Sequence, residues 1–239
     1  MKFIVPAILL FATVCGAAPA ESKKTNSVTV QVSGQKQEAV RWLNAALASS
    51  LSLESDEITI TDLPDRSLEI ELPPQVSGKG REILSFWSKK PGLEFASVHK
   101  GGRDEAAHFA ETGEKIPSGW RLLPNTGRGG GHLLVAERSE LNSEIVSSAT
   151  VLPRDEAWML SVEFTDAGSE QVSEFTKLHR GDPMAIILDG SVLTAPVIQE
   201  PFSTGASITG NFTESEARAL AAFLSDPPDF DLKIAGLEN

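Results

Sequence analysis

An α+β fold is the class that the sequence predicts, and three observations predict it. Apolar residues switch repeatedly between a spacing of two and a spacing of three to four. The segment 28–98 reads strand, helix, strand, strand, helix, strand, the split βαβ or ferredoxin-like pattern. The second half reads strand, helix, strands, helix, strand, and carries two strong local signals. Asp189-Gly190 separates two apolar runs as a tight hairpin does, and Thr213 with Glu216 has the spacing of a capping box.

In order, Val28, Val30 and Val32 alternate with polar residues as in a half-buried strand. Val40, Leu43, Leu47 and Leu51 then recur at helical spacing. Ile58 and Ile60 form one short alternation and Leu68, Ile70 and Leu72 the next, with a turn at Leu63-Pro64-Asp65-Arg66 between them. Ile83, Leu84 and Trp87 mark a second helix, stopped by Pro91-Gly92. Leu93, Phe95 and Val98 give a strand that would complete the first sheet. The helices would cover one face of that sheet and leave the other free to meet a partner such as the second half of the chain.

Residues 99–118 are polar and poor in apolar side chains and read as a linker. From 119 to 152 the pattern is weak. Trp120, Leu122 and Leu123 suggest a short strand, Leu133 to Val135 a better one, and Thr126 to Gly131 a glycine-rich loop. Met159 to Phe164 is a strand, and Thr165 or Asp166 can cap a helix with Val172, Phe175 and Leu178 on one face. Met184 to Leu188 is a buried strand and Val192 to Ile198 its hairpin partner, placed at a sheet edge by Pro196. Ser207 to Thr209 is a short strand between Gly205 and Gly210. Ala217, Leu220, Ala221 and Leu224 form the apolar stripe of a last helix, stopped by Pro227-Pro228, and Phe230, Leu232 and Ile234 alternate as a final strand. No sequence repeat links the two halves.

Composition narrows the functional classes. The formal net charge is −12, which suits neither a phosphate backbone nor an anionic lipid surface as partner. The first twenty residues read as a signal peptide: Lys2, the apolar run Phe3 to Val14, and a small-x-small site at Ala18-Pro19-Ala20. Residues 21–27 follow as a flexible leader. Cys15 is the single cysteine; cleavage at Cys15 instead of Ala20 would make it a lipid anchor. No later apolar run approaches the roughly 20 residues that span a bilayer, so the mature chain is expected to hold no transmembrane segment and to be exported to the periplasm.

No catalytic set emerges. His99, His108, His132 and His179 form no local ligand pair, so neither a metal nor a cofactor is expected. The stretch Gly127 to Gly131 lacks the Gly-Lys-Ser/Thr ending of a phosphate loop. No Gly-x-Ser-x-Gly elbow is present. Trp42 and Trp87 lie on or beside helical stripes and are expected in the core, whereas Trp120 is the one candidate for an exposed binding contact.

Together these motifs carry a resemblance. Ala185 to Gly190 followed by Val192 and Ala195-Pro196, the glycine-bounded Gly205 to Thr213, the helix with Glu216-Ala217, Leu220-Ala221 and Leu224, and the upstream Val162-Glu163-Phe164 with Gly168, Phe175 and Thr176 resemble the SecD family of protein-export (SecD/SecF) membrane subunits. Leu68 to Pro73 and Leu93-Glu94-Phe95 are similar to that family's preceding region. The resemblance is to the family's first large extracytoplasmic domain without its transmembrane helices. It implies a base formed by 28–98 plus 229–235 and an inserted head over 119–226. It also implies a non-enzymatic domain that binds unfolded or emerging polypeptide, with the Sec translocation machinery as partner. An adaptor or structural subunit of an envelope complex is the alternative, and an exported hydrolase a third class. The motif residues Asp189, Gly190, Pro196, Gly205, Gly210, Thr213 and Glu216 are each explained by turn, edge or cap geometry. One departure concerns the junction: Asp226-Pro227-Pro228-Asp229 stands where the family has a Gly and a Leu-Pro, so a stiffer hinge is expected.

Overall fold

The computed structural model describes residues 26–127, 129–155 and 157–235. Cys15, the Ala20 cleavage site and residues 21–25 of the leader lie outside the described residues; the leader's last residue, Ser27, already belongs to the first strand.

The first layer is built from β1 (Ser27–Val32), α1 (Lys36–Leu51), β2 (Thr59–Asp62), β3 (Ser67–Glu71) and α2 (Ser77–Ser88). Alternation in β1 buries Val28, Val30 and Val32 toward the helices. The hairpin between β2 and β3 turns at Asp65 and Arg66, both with positive φ, which matches the twist of the flanking strands. Four strands form this sheet in the order β13-β1-β3-β2, every pair antiparallel, with β13 (Leu232–Ile234) as the fourth strand.

That order corrects one expectation. The strand at 93–98, β4 (Leu93–Ser97), does not join the first sheet. It pairs with β10 (Met184–Leu188) in a second sheet, ordered β11-β10-β4-β7, with β11 (Ser191–Thr194) and β7 (Leu141–Asn142) at its edges. Burial explains the choice. Leu93 and Phe95 enter one core and Ala96 another, so β4 must be covered on both faces. β13 alternates buried, exposed, buried and suits a strand with one wet face.

The linker expected over 99–118 holds a helix, α3 (Gly102–Thr112). Only Ala106 is buried in it, so the helix has almost no apolar stripe to announce it. Its good helix formers and the left-handed Gly113 that ends it were the available signals. β5 (Trp120–Pro124) and β6 (His132–Ala136) form a two-stranded ribbon. β8 (Val146–Arg154), in the stretch where the sequence pattern is weak, pairs with β9 (Ala157–Phe164), and β9 with β12 (Gly205–Phe212), giving the order β12-β9-β8. α4 (Asp166–Leu178) starts at Thr165, whose side chain accepts from the Gly168 N–H.

The face of the first sheet opposite its helices carries Gln31, Thr59, Thr61, Glu71 and Lys233, all exposed. The second half does not cover it, because that face is polar. The halves meet on the helical side instead, through α5 (Glu214–Ser225).

Candidate functional site: a shared helix and the groove beside it

α5 begins at Thr213. The Thr213 hydroxyl accepts from the Glu216 N–H at 3.3 Å, and the Glu216 carboxylate accepts from the Thr213 N–H at 2.8 Å. The box satisfies two N–H groups that the first turn leaves unpaired. Beyond it the helix is apolar on two sides. Ala219 and Phe223 enter the core of the first half, and Ala217, Leu220, Ala221 and Leu224 enter that of the second.

Two tryptophans hold the first side. Trp87 is buried, and its indole N–H donates to the Ala219 carbonyl at 3.0 Å. Trp42 packs edge-on against Trp87 at 4.8 Å, and its N–H donates to the Asp226 carbonyl at 2.6 Å. Phe230, beyond the double proline, meets Trp42 edge-on at 5.8 Å. Both tryptophans sit in or against the core, as their helical stripes predicted.

A groove of about 290 Å³ opens where α2, the end of β10 and the start of α5 converge. Phe86, Leu188, Phe212 and Leu220 supply apolar walls, and Lys79 and Glu216 stand among the polar residues of the lining. The family-motif residues arrive at this region from two directions. Thr213 and Glu216 line the groove directly. Asp189 and Gly190 turn the chain just after Leu188, with φ of 47° and 74°. Asp189 also clasps the start of β4: its carboxylate accepts from the Gly92 N–H at 3.0 Å and its own N–H donates to the Gly92 carbonyl at 3.2 Å.

The other motif residues lie along the second half's strands. The Pro196 carbonyl accepts from the Met184 N–H at 2.9 Å on the edge side of the second sheet. A Cβ at Gly205 would stand 2.4 Å from the Val162 carbonyl oxygen, and one at Gly210 2.7 Å from the Phe212 ring. Trp120 is not among the groove residues. It is half-buried on β5, with its ring edge-on to His99 at 4.6 Å. Sequence reasoning missed Phe86, Leu188 and Phe212 as neighbours, since they come from three separate elements.

Charge is sparse inside. Among the described residues Glu94 is the one partly buried carboxylate whose proton equilibrium is perturbed. Burial pushes its pKa up, but hydrogen bonds from Ser139 and Arg121 and the Arg121 charge outweigh that and hold it below the ordinary range. Among the described residues no three His, Asp, Glu or Cys side chains gather as a metal group. No described helix is long and apolar enough to cross a membrane.

Comparison with known proteins fits this frame. Residues 121–226 match the family described as SecDF, P1 head subdomain. The protein translocase subunit SecD of Syntrophobacter fumaroxidans is 27% identical over 221 residues, 86% of this chain and 41% of its own length. The SecD subunit of Rhodobacter capsulatus is 35% identical over 111 residues, 46% of this chain and 20% of its own. This chain therefore spans less than half of these relatives. A crystal structure of SecDF in a super-membrane-facing form superimposes with a TM-score of 0.55 at 20% identity, over 87% of this chain and 29% of that one. A second structure, of a SecDF membrane component that enhances protein export, gives 0.52 at 20% identity, over 89% of this chain and 99% of that one. Fold and sequence agree that the chain resembles the first large extracytoplasmic domain of SecD, with its residues 121–226 matching the SecDF P1 head subdomain.

Proposed function

We propose that this chain works in protein export, outside the cytoplasm, as a SecD-like domain that binds unfolded or emerging polypeptide. The relatives are named translocase subunits, and one structural neighbour is described as enhancing protein export. The observation that carries the reading is the groove. An apolar trough of Phe86, Leu188, Phe212 and Leu220 lies open beside the family-motif residues Thr213 and Glu216. Pockets of this kind accept the side chains of an extended chain, which a folded partner keeps buried. In this reading residues 28–92 with 229–235 serve as a ferredoxin-like base and residues 93–226 as the head. Residues 1–20 direct export and are removed after Ala20, which intact mass of the mature protein tests.

In-cell photo-crosslinking from Lys79 and Ser215, at the rim of the groove, tests the binding. Many different exported proteins, or subunits of the translocation channel, are the expected products. A single recurrent folded partner would replace this reading with that of an adaptor, for which the open polar face at Gln31, Thr61 and Glu71 is the supporting observation.

A further inference from the structure

Each apolar wall of the groove stands next in sequence to a residue held by a specific hydrogen bond. Phe86 precedes Trp87, whose indole N–H donates to the Ala219 carbonyl at 3.0 Å. Leu220 follows Ala219, so this one bond has a groove wall beside it on each helix. Leu188 precedes Asp189, which is bonded twice to Gly92 between α2 and β4. Phe212 precedes Thr213, whose N–H donates to the Glu216 carboxylate. Ile83 and Glu216, which also line the groove, lie about one helical turn from Trp87 and Ala219.

Among these ties the Trp87 bond is the one that spans the two helices. No other hydrogen bond or ion pair joins α2 to α5 among the described residues. The rest of their contact is apolar, with Ile83, Leu84, Ala219 and Phe223 in the first core. Apolar contact rewards burial without direction, whereas a hydrogen bond fixes distance and angle. Trp87 and Ala219 are both buried, so water does not compete for the bond. The space between the walls matches one guest. An apolar cavity of about 150 Å³ holds a benzene ring, and this groove of about 290 Å³ has room for one large side chain.

We propose that Trp87 is the positioning residue of the groove: through Ala219 it holds the α2 and α5 walls at a fixed separation, so that the groove is preformed for one large apolar side chain of an extended polypeptide. The proposal rests on the polypeptide-binding reading and adds to it a size preference and the residue that sets it. Walls held in place before binding need no ordering when the guest enters. Walls free to shift would close on small side chains and discriminate less.

The test uses the isotope-labelled full chain, followed by magnetic resonance, and twelve-residue peptides of Ser and Gly with one central Phe, Leu or Ala. The Trp87 indole signal is assigned by its loss in Trp87→Phe. Trp42→Phe is the comparison, because it removes an indole bond from the far end of α5, at Asp226, outside the groove. The expected result is that the Phe and Leu peptides bind the unaltered chain and Trp42→Phe about tenfold or more tighter than the Ala peptide, and that this ratio falls below about threefold in Trp87→Phe. A role confined to stability would shift all three peptides alike. A ratio that survives in folded Trp87→Phe overturns the proposal and leaves the polypeptide reading standing. Where Trp87→Phe fails to fold, exchange of the indole N–H groups in the unaltered chain decides. Saturating Phe peptide that slows exchange at Trp87 more than at Trp42 supports the proposal, since a guest that needs the tie must strengthen it; unchanged exchange at Trp87 overturns it. Equal binding of the three peptides by the unaltered chain overturns the size preference and with it the proposal. Absence of binding by any peptide overturns both the proposal and the reading beneath it.

Discussion

The indole N–H of Trp87 on α2 donates to the backbone carbonyl of Ala219 on α5, 3.0 Å away and 132 residues later in the chain. That bond joins the first half of the protein to the last helix of the second. Trp87→Phe removes this donor and part of the buried indole, leaving the Ala219 carbonyl with its bond inside α5 and a small cavity beside it. The expected cost is about 1–3 kcal/mol. Urea denaturation would measure it, and because α5 belongs to both cores a single unfolding transition is expected for the unaltered protein and the variant alike.

The two faces of α5 can be tested separately. Phe223→Ala empties space in the first core and Leu224→Ala in the second. Costs of about 3–5 and 2–5 kcal/mol follow from lost burial plus the cavity left behind. Hydrogen exchange should speed up first around β1 and β3 in Phe223→Ala, and around β9 in Leu224→Ala. Identical exchange patterns in the two variants would contradict the two-sided role.

Asp189 serves a turn and a clasp at once. Asn tolerates its positive φ and keeps an acceptor for the Gly92 N–H, so Asp189→Asn should lie close to the unaltered protein. Asp189→Ala loses the acceptor and places a less tolerant residue at positive φ, at a cost of about 1–2 kcal/mol. Thermal unfolding of the pair would separate the two contributions.

Glu94 gives an acid-side prediction. Its folded pKa lies below the ordinary value, so the stability it contributes is present above about pH 4.3 and is lost as pH falls through the folded pKa. Glu94→Gln should therefore flatten the acid limb of the stability curve below about pH 4.3 while lowering stability at neutral pH. An acid limb of unchanged slope would assign the loss to other carboxylates.

Gly205 has no room for a side chain. A Cβ there would meet the Val162 carbonyl oxygen at 2.4 Å, a backbone atom that cannot swing aside. Gly205→Ala should destabilise the protein by about 1–3 kcal/mol, as other overpacked sites do. Chemical denaturation checks this, with Gly190→Ala as a comparison in which positive φ, not a clash, sets the cost.

Much of the local structure could be read directly. Alternation in Val28, Val30 and Val32 gave β1, the spacing of Thr213 and Glu216 gave the cap of α5, and Asp189-Gly190 gave the hairpin, because each is set by neighbours in sequence. α3 and β8 escaped for a common reason. Both lie at the surface, where burial imposes little apolar periodicity: α3 buries only Ala106, and β8 buries only Val146, with most of its residues exposed. The groove escaped because Phe86, Leu188 and Phe212 look like ordinary core residues until three elements bring them together.

By itself, then, the sequence determined the α+β class, most strands and helices, and the motif residues that carry the family resemblance, since these depend on period, turn chemistry and caps. Tertiary structure alone decided where two strands go. β4 reads as a strand in either sheet; it enters the second because that site covers both of its faces, and β13 takes the place beside β1 because it has only one face to bury. The same holds for α5. Its stripe of Ala217, Leu220, Ala221 and Leu224 was legible, but Ala219 and Phe223 became a second stripe only once Trp42 and Trp87 came to lie against them. Long-range packing chooses among partners that local pattern leaves equivalent, because burial is rewarded without regard to direction or distance along the chain.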